Sequence, residues 1–442
     1  MEKKYTLDSA PFCKFHAKII SYTVGGSFLD GYILGIIEFA IISVAKYMGM
    51  SDIWQGLIAS SPLVGIFIGS LVFGDLADKI GRKNIYTMNF VVILITSILQ
   101  FFVNSPMTLF ILRLILGICI GAEYAIGPTI ITEFVPSRMR GRLLTSLGIA
   151  WTAGYVAAAY VGAWMQRFGD ESWRYMLASS AIIAAIVLVL RIGMPETPRW
   201  LVLKGRIDEA EAIIKKHFGD MITLEPTVKE LSEAKMAPEE SKGYMPLFRK
   251  GQIRHTMVAA ICMSVNTLPQ YAIFSFVPMI LISLGIEDEN TFYTLIVNGM
   301  MLAVNVAAIF VIDKLPRKKM MTIGMLISSI PLIFLGLWKG MPPMLVTVFF
   351  AANMIGDSLY GTIASYIYPS ECFPTELRAR GVGFCCATSR IFGIFGAFAM
   401  LIIIYRFNIN IALLGIAICV LLALVLVKRW APETKGVSID EV

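Results

Sequence analysis

The chain has 442 residues, of which 57% are hydrophobic and only 16% charged, too apolar for a soluble globule of that length. Its net charge of +7 could suggest a nucleic-acid partner, but the basic residues follow a membrane pattern instead, so no nucleic acid is expected.

Apolar runs long enough to cross about 30 Å of hydrocarbon occur twelve times along the chain. The first six are Ile19–Lys46, Ile53–Leu76, Asn84–Phe102, Met107–Phe134, Leu143–Phe168 and Trp173–Gly193. A polar stretch follows, in which Ile207–Phe218 has the spacing of a helix and Glu225–Gly243 reads as a flexible connector. Then come Thr256–Leu284, Thr291–Ile312, Met320–Trp338, Pro343–Glu371, Gly381–Arg406 and Ile409–Val427. The runs are continuous rather than alternating, so they predict helices and not a barrel.

With the N terminus in the cytoplasm, 31 of the 38 Lys and Arg fall at cytoplasmic ends and loops. Five lie outside (Lys46, Arg167, Arg174, Lys339, Arg406), and Arg113 and Arg390 lie within spans. This bias predicts a multi-pass inner-membrane protein with both termini cytoplasmic and no cleavable signal. None of the seven cysteines falls outside, and none has zinc-like spacing.

Three sets of polar residues recur in the same order. Asp78-Lys79-Ile80-Gly81-Arg82-Lys83 returns as Asp313-Lys314-Leu315-Pro316-Arg317-Lys318. Glu133, Pro136 and Arg140 return as Glu371, Pro374 and Arg378, and Pro195-Glu196-Thr197 returns as Pro432-Glu433-Thr434. The chain is therefore two copies of one unit: a bundle at 1–193, a cytoplasmic linker with a short helix at 194–254, and a second bundle at 255–442. Duplicated helical bundles commonly move a solute through the seam between their halves.

Gly74-(x)3-Asp78-Lys79-(x)-Gly81-Arg82-Lys83 after the second span resembles the signature loop of the major facilitator superfamily. Arg113 with Gly117, Glu133-(x)2-Pro136-(x)3-Arg140-Gly141, and Pro195-Glu196-(x)-Pro198-Arg199 resemble its sugar-porter and metabolite–proton symporter branches. The resemblance spans the chain. It implies an all-α integral membrane protein whose twelve helices form two pseudo-symmetric bundles of six. It also implies alternating access to a small-molecule substrate, by a monomer in the bilayer. The loop charges would then form a latch, Asp78 with Arg140 or Arg82 with Glu133, with Gly74 and Gly81 permitting close approach and a tight turn. Lys83, and Asp313, Arg317, Glu371 and Arg378 in the second copy, would join it. The alternative is that these charges only anchor topology. Pro316 and Ile309 stand where the first copy has glycine, so the second latch departs from the pattern.

Charges within the spans are costly, about 2.5–3.5 kcal/mol each at the bilayer centre on insertion scales, and so point to function. Asp30 and Glu123 should lie at similar depth, as should Asp357 and Arg390 in the other copy; Glu38 and Arg113 should lie nearer the outside. Asp30 is the expected proton carrier, with Glu123, Glu38 and Arg113 as coupling partners. The family's Gly-Tyr-Asp is here Gly31-Tyr32-Ile33, with the acid one turn earlier at Asp30. Alternatively Asp30 pairs with Arg113 for packing alone.

Gly121-Ala122-Glu123-Tyr124 resembles a segment of phosphate and organic-ion symporters, and Arg390 stands where organic-anion carriers tend to have Arg. A guanidinium suits a carboxylate, unless Asp357 already satisfies it. Asn266-Thr267-Leu268-Pro269-Gln270-Tyr271 lacks the hexose carriers' Gln-Gln-(x)2-Gly-(x)-Asn cluster. Arg390, Asp357, Tyr124, Asn266, Gln270, Tyr271 and Asn298 are the expected substrate residues. No catalytic, metal-binding or ATP-binding constellation is present, so neither an enzyme nor a cofactor is expected and the proton gradient would supply the energy. A passive uniporter, a sugar or polyol symporter and a non-transporting nutrient sensor remain alternatives.

Overall fold

The computed structural model describes residues 5–224, 228, 243–274, 299–307, 310, 315–338 and 340–434. Asn298, Asp313, the side chain of Glu38, the connector and most of the eighth predicted span lie outside the described residues.

Helices dominate from the first turn. The N-terminal copy contains α1 (Lys14–Met48), α2 (Asp52–Ile80), α3 (Arg82–Leu99), α4 (Pro106–Phe134), α5 (Ser137–Met165) and α6 (Ser172–Leu190). Two shorter helices follow, α7 (Pro198–Leu203) and α8 (Ile207–Phe218), the second with the predicted limits. The C-terminal copy contains α9 (Gln252–Phe274), α10 (Arg317–Leu337), α11 (Pro343–Thr362), α12 (Arg378–Arg406) and α13 (Ile409–Trp430). Among the described residues the one β feature is a bridge between Tyr5 and Ile222.

Eight of the described helices are long and apolar enough to cross a membrane. Their outer faces stay apolar: on α6, Ile182, Ile186 and Val189 are exposed at helical spacing, the stripe expected to meet lipid. With little hydrophobic force between helices in lipid, close packing must hold the bundle. Where α2 meets α4, a Cβ on Gly69 would lie 2.0 Å from Ile118 O, and one on Gly117 would lie 2.3 Å from Pro62 O. Each glycine therefore admits the other helix's backbone. Four helices carry an internal proline (Pro62, Pro128, Pro269 and Pro331), tolerable where neighbours satisfy the freed carbonyl.

The end of α11 departs from α geometry. Residues Ile363–Ile367 form a π turn, continued by a short helix Tyr368–Glu371. Such turns carry an extra residue and rotate the side chains that follow them. Here it places Ser365 and Tyr366 on the wall of a central cavity.

The described residues of the motif loops lie at one end of the bundle, called below the motif face. There α8 buries Ala210, Ile214 and Phe218, and Phe15 stacks on His217 with ring centroids 4.1 Å apart.

Candidate functional site

The central cavity lies between the two copies and encloses about 810 Å³, counting the part open to solvent. Six of the seven predicted substrate residues line it: Arg390, Asp357, Tyr124, Asn266, Gln270 and Tyr271. Asn298 lies outside the described residues.

Arg390, on α12, is buried and donates from Nη1 to the Tyr271 hydroxyl at 2.7 Å. Its guanidinium carbon lies 5.1 Å from the Tyr124 ring centroid and 5.6 Å from that of Tyr271, within cation–π range. Nε has no partner, and no described carboxylate forms an ion pair with the side chain. The expected alternative, an Arg390–Asp357 pair, is not formed. Asp357 accepts instead from Asn266 Nδ2 at 3.4 Å, and Asn266 Oδ1 accepts from Ser365 at 2.8 Å.

Sequence reasoning missed Trp151, Thr152, Asn305, Ser365 and Tyr366 on the cavity wall. Asn305 donates to Thr152 Oγ1 at 3.0 Å, a bond between the copies. None of these carries a charge that would mark it within an apolar run.

Next to the cavity lies a second buried polar group. Glu123 Oε1 is 2.8 Å from Arg191 Nη2 and accepts from the Tyr86 hydroxyl at 2.5 Å. Arg191 also donates to Tyr86 O at 2.7 Å and to Tyr22 O at 3.1 Å, with its guanidinium 3.5 Å from the Tyr86 centroid and 3.8 Å from that of Phe90. Asp30 is fully buried, and neither carboxylate oxygen has a hydrogen-bond partner. It interacts electrostatically with Glu123, Arg191 and Arg390. The expected proximity of Asp30 and Glu123 is thus present, but Asp30 has no ion pair with Arg113. Arg113 donates to Ile33 O at 3.1 Å, at the position where the resemblance would put an aspartate, and its Nε and Nη2 are unpartnered. A backbone carbonyl has replaced the acid.

The motif face is closed by ion pairs that run between the copies. Arg82 Nη2 lies 2.9 Å from Asp78 and 3.1 Å from Glu133, and donates to Thr375 O at 3.3 Å. Asp78 Oδ2 accepts from Arg380 N at 3.0 Å and lies 3.3 Å from Arg380 Nε, while Arg378 Nη1 is 3.4 Å from Glu133. Of the two predicted pairs, Arg82–Glu133 forms and Asp78–Arg140 does not. Arg140 turns to Asp8, 2.6 Å away, because Arg82 and Arg380 already occupy both oxygens of Asp78. Lys83 is exposed and offers the latch only its N–H, which Glu196 accepts at 3.2 Å. Gly81 has φ +107°, the turn expected of it, and a Cβ on Gly74 would meet Ala379 O of the other copy at 2.8 Å.

In the second copy Arg317 pairs with Glu371 at 3.4 Å, and Glu371 accepts from Thr434 Oγ1 at 2.7 Å. Asp313 lies outside the described residues. The repeated Pro-Glu-Thr also has a role that its spacing did not disclose. Glu196 accepts from Arg82 N at 3.1 Å, and Glu433 from Arg317 N at 2.7 Å, so in each copy a helix N-terminus is capped by the acid of the Pro-Glu-Thr that follows that copy's last span.

Asp8 was likewise missed. Its oxygens lie 2.6 Å from Arg140 and 2.6 Å from Arg199, and its carbonyl accepts from Ser137 N at 3.1 Å. Burial pulls its carboxyl upward, but Arg199 and Arg140 together outweigh that and hold it below the usual carboxylate range. A lowered native value gives stability that is present above the unfolded pKa and lost as pH falls through the native one. The segment around Asp8 should therefore resist protease from neutral pH to below about 4, the ordinary Asp value, and become cleavable at lower pH. In Asp8→Asn it should be cleavable at every pH. Equal resistance in both proteins would show that the apolar contacts hold the segment without the carboxylate.

The model of the family described as "Sugar (and other) transporter" matches residues 18–442. The chain belongs to that family. It is a multi-pass membrane transporter of the major facilitator fold and not an enzyme. The family member "Inner membrane metabolite transport protein YgcS" of Escherichia coli (strain K12) is 32% identical over 433 residues, 98% of this chain and 95% of that one. The "Arabinose-proton symporter" of Bacillus subtilis (strain 168) is 29% identical, over 96% of this chain and 94% of that one. Among solved structures, the proton:xylose symporter XylE bound to 6-bromo-6-deoxy-D-glucose matches with a TM-score of 0.83 at 23% identity, covering 97% of this chain and 98% of that chain. That likeness carries the twelve-helix fold to this family member.

Proposed function

We propose that the protein imports a small polar metabolite bearing a carboxylate, such as a sugar acid or an aromatic or other organic acid, together with protons. Bundles 1–193 and 255–442 would rock about linker 194–254 and open the cavity to each side in turn. One observation carries the substrate class: Arg390 presents a buried guanidinium to the cavity, and no described carboxylate lies within ion-pair distance of it. A neutral solute leaves that guanidinium without an ion-pair partner in contact, whereas a carboxylate matches its donor fork. Asp30 and Glu123, costly to bury, support proton coupling. The bias of 31 of 38 basic residues puts the motif face and both termini in the cytoplasm. The working unit is a monomer in the inner membrane, with no cofactor and the proton gradient as its energy source.

A neutral sugar or polyol is the second reading. It is favoured by the arabinose–proton symporter among the relatives and by the hydroxyl-binding groups Asn266, Gln270 and Ser365 on the cavity wall.

Purified protein in energised vesicles, offered aldonic, uronic and aromatic acids beside pentoses, hexoses and polyols, separates the two. Accumulation of an acid that collapses with a protonophore is the expected result. Sugars accumulated in place of acids would transfer the proposal to the second reading, and accumulation indifferent to the protonophore would end the coupling.

A further inference from the structure

Two opposite charges line the cavity and do not meet. Among its described lining residues, Arg390 and Asp357 are the only charged side chains. Neither has an ion pair with a described residue: Arg390 bonds to the Tyr271 hydroxyl and to Cys386, and Asp357 has the neutral neighbours Asn266 and Tyr360. We infer that the substrate is a zwitterion, whose carboxylate sits on Arg390 and whose ammonium sits on Asp357. The inference narrows the carboxylate reading and rests on it.

Neutral side chains hold the two charges apart. In a cavity with little water, free side chains of opposite charge would collapse onto one another, because their attraction grows as the dielectric falls. Here each is tied down. Ser365 donates to Asn266 Oδ1 at 2.8 Å, which orients the amide so that its Nδ2 faces Asp357 at 3.4 Å. Tyr271 holds the Arg390 guanidinium at 2.7 Å, with the Tyr124 ring beside it. Asn266 and Tyr271 belong to one helix, α9, and five residues of helix rise about 7.5 Å. The helix thus carries the holder of the acid and the holder of the guanidinium on separate turns, and leaves space between the charges for a solute.

The other intramembrane charges do not fill that space. Asp30 acts on Arg390 electrostatically, but it is fully buried, does not line the cavity and receives no hydrogen bond. It offsets part of the guanidinium's charge from a distance and leaves its donors free for a ligand. Glu123 and Arg191 pair with each other at 2.8 Å. Asp357 has no cation behind it: the groups that act on it are Asn266 and Tyr360. It is half-buried, so the cavity reaches it.

A solute bearing a carboxylate alone would satisfy Arg390 and leave Asp357 without a counter-charge. A zwitterion gives both groups a charge-assisted partner and adds no net charge to the membrane interior. Met263 and Met354 stand on the cavity wall one turn from Asn266 and Asp357, so the carbon atoms next to the ammonium meet apolar surface.

Ligand pairs that differ by one charge test this, read as thermal stabilisation of the purified protein. Glycine, β-alanine, 4-aminobutyrate and 6-aminohexanoate step the ammonium away from the carboxylate, and phenylalanine adds a ring. Each is set beside the same acid without the amine and the same amine without the acid. The best zwitterion should act at a concentration roughly tenfold or more below either one-charge relative. In Asp357→Asn its affinity should fall to that of the matching acid. Wild-type protein alone decides the matter if that variant fails to fold. Zwitterions no better than their matching acids, or an advantage that survives Asp357→Asn, would overturn the inference, give Asp357 to a proton or cation of its own and leave the carboxylate reading standing. Stabilisation by sugars alone would bring down both.

Discussion

Arg82→Ala should spring the motif face open and all but stop net uptake, while the protein still inserts. Arg82 joins Asp78, Glu133 and the Thr375 carbonyl of the other copy, and only 1% of its side chain is exposed. Its removal leaves two buried carboxylates facing each other, with Arg380 and Arg378 as their remaining cations. Breaking a buried pair in this way costs about 3–5 kcal/mol, which would move the ratio of closed to open forms by roughly a hundred- to several-thousandfold. The carrier would then rest in one state instead of cycling. Cys386 offers a native reporter: it is fully buried and contacts Ser70 of the other copy. In a background lacking the part-exposed Cys13 and Cys419, a permeant maleimide should label it far faster in Arg82→Ala. Unchanged labelling with normal uptake would leave these charges as topology anchors only.

Arg390 should be the most sensitive position for the substrate. A charge-assisted hydrogen bond contributes about 1.5–3 kcal/mol, so Arg390→Ala should weaken uptake of the acid roughly ten- to a hundredfold. Arg390→Lys should recover only part of that, because an ammonium keeps the charge but not the planar fork. Both variants should keep the tyrosine-lined cavity and remain folded, since the contacts Arg390 makes, with the Tyr271 hydroxyl, Cys386 and the Tyr124 ring, all lie at the cavity wall. Concentration-dependent uptake of the best acid, with apparent affinity separated from maximal rate, checks this. Equal uptake by wild type and Arg390→Ala would remove the carboxylate from the proposal.

The spans and the repeat were legible because their signals are local. A run of apolar residues or a Gly-Arg-Lys after a helix keeps its meaning wherever the chain goes. The intramembrane charges were legible for the same reason, since Asp30, Glu123, Asp357 and Arg390 stand alone among apolar neighbours. Partners were not. Arg140 and Asp78 have complementary charges at neighbouring helix ends, yet Arg140 meets Asp8, from a tail with no periodicity to place it. Arg191 closes a span, where a basic residue usually only marks the cytoplasmic side; that it folds back to Glu123 depends on how α6 leans against α1 and α3. The π turn at Ile363–Ile367 is set by packing, and with it the orientation of Ser365 and Tyr366. Sequence spacing shows which residues belong to a helix, whereas the lean and rotation of that helix decide what they touch.

The paired caps at Glu196 and Glu433 bear on how such a chain could arise. Each acid secures the N-terminus of a helix in its own copy, α3 in one and α10 in the other, so neither copy borrows its clasp from its sibling. A six-helix polypeptide carrying such an acid near its end would already have been a finished object, able to pair with a twin across the seam that is now the cavity. Joining the twins needed only a stretch of polar chain. The two copies now differ where the cavity lies: one carries Glu123, Arg191 and Asp30, the other Arg390 and Asp357, so its two walls are chemically unlike.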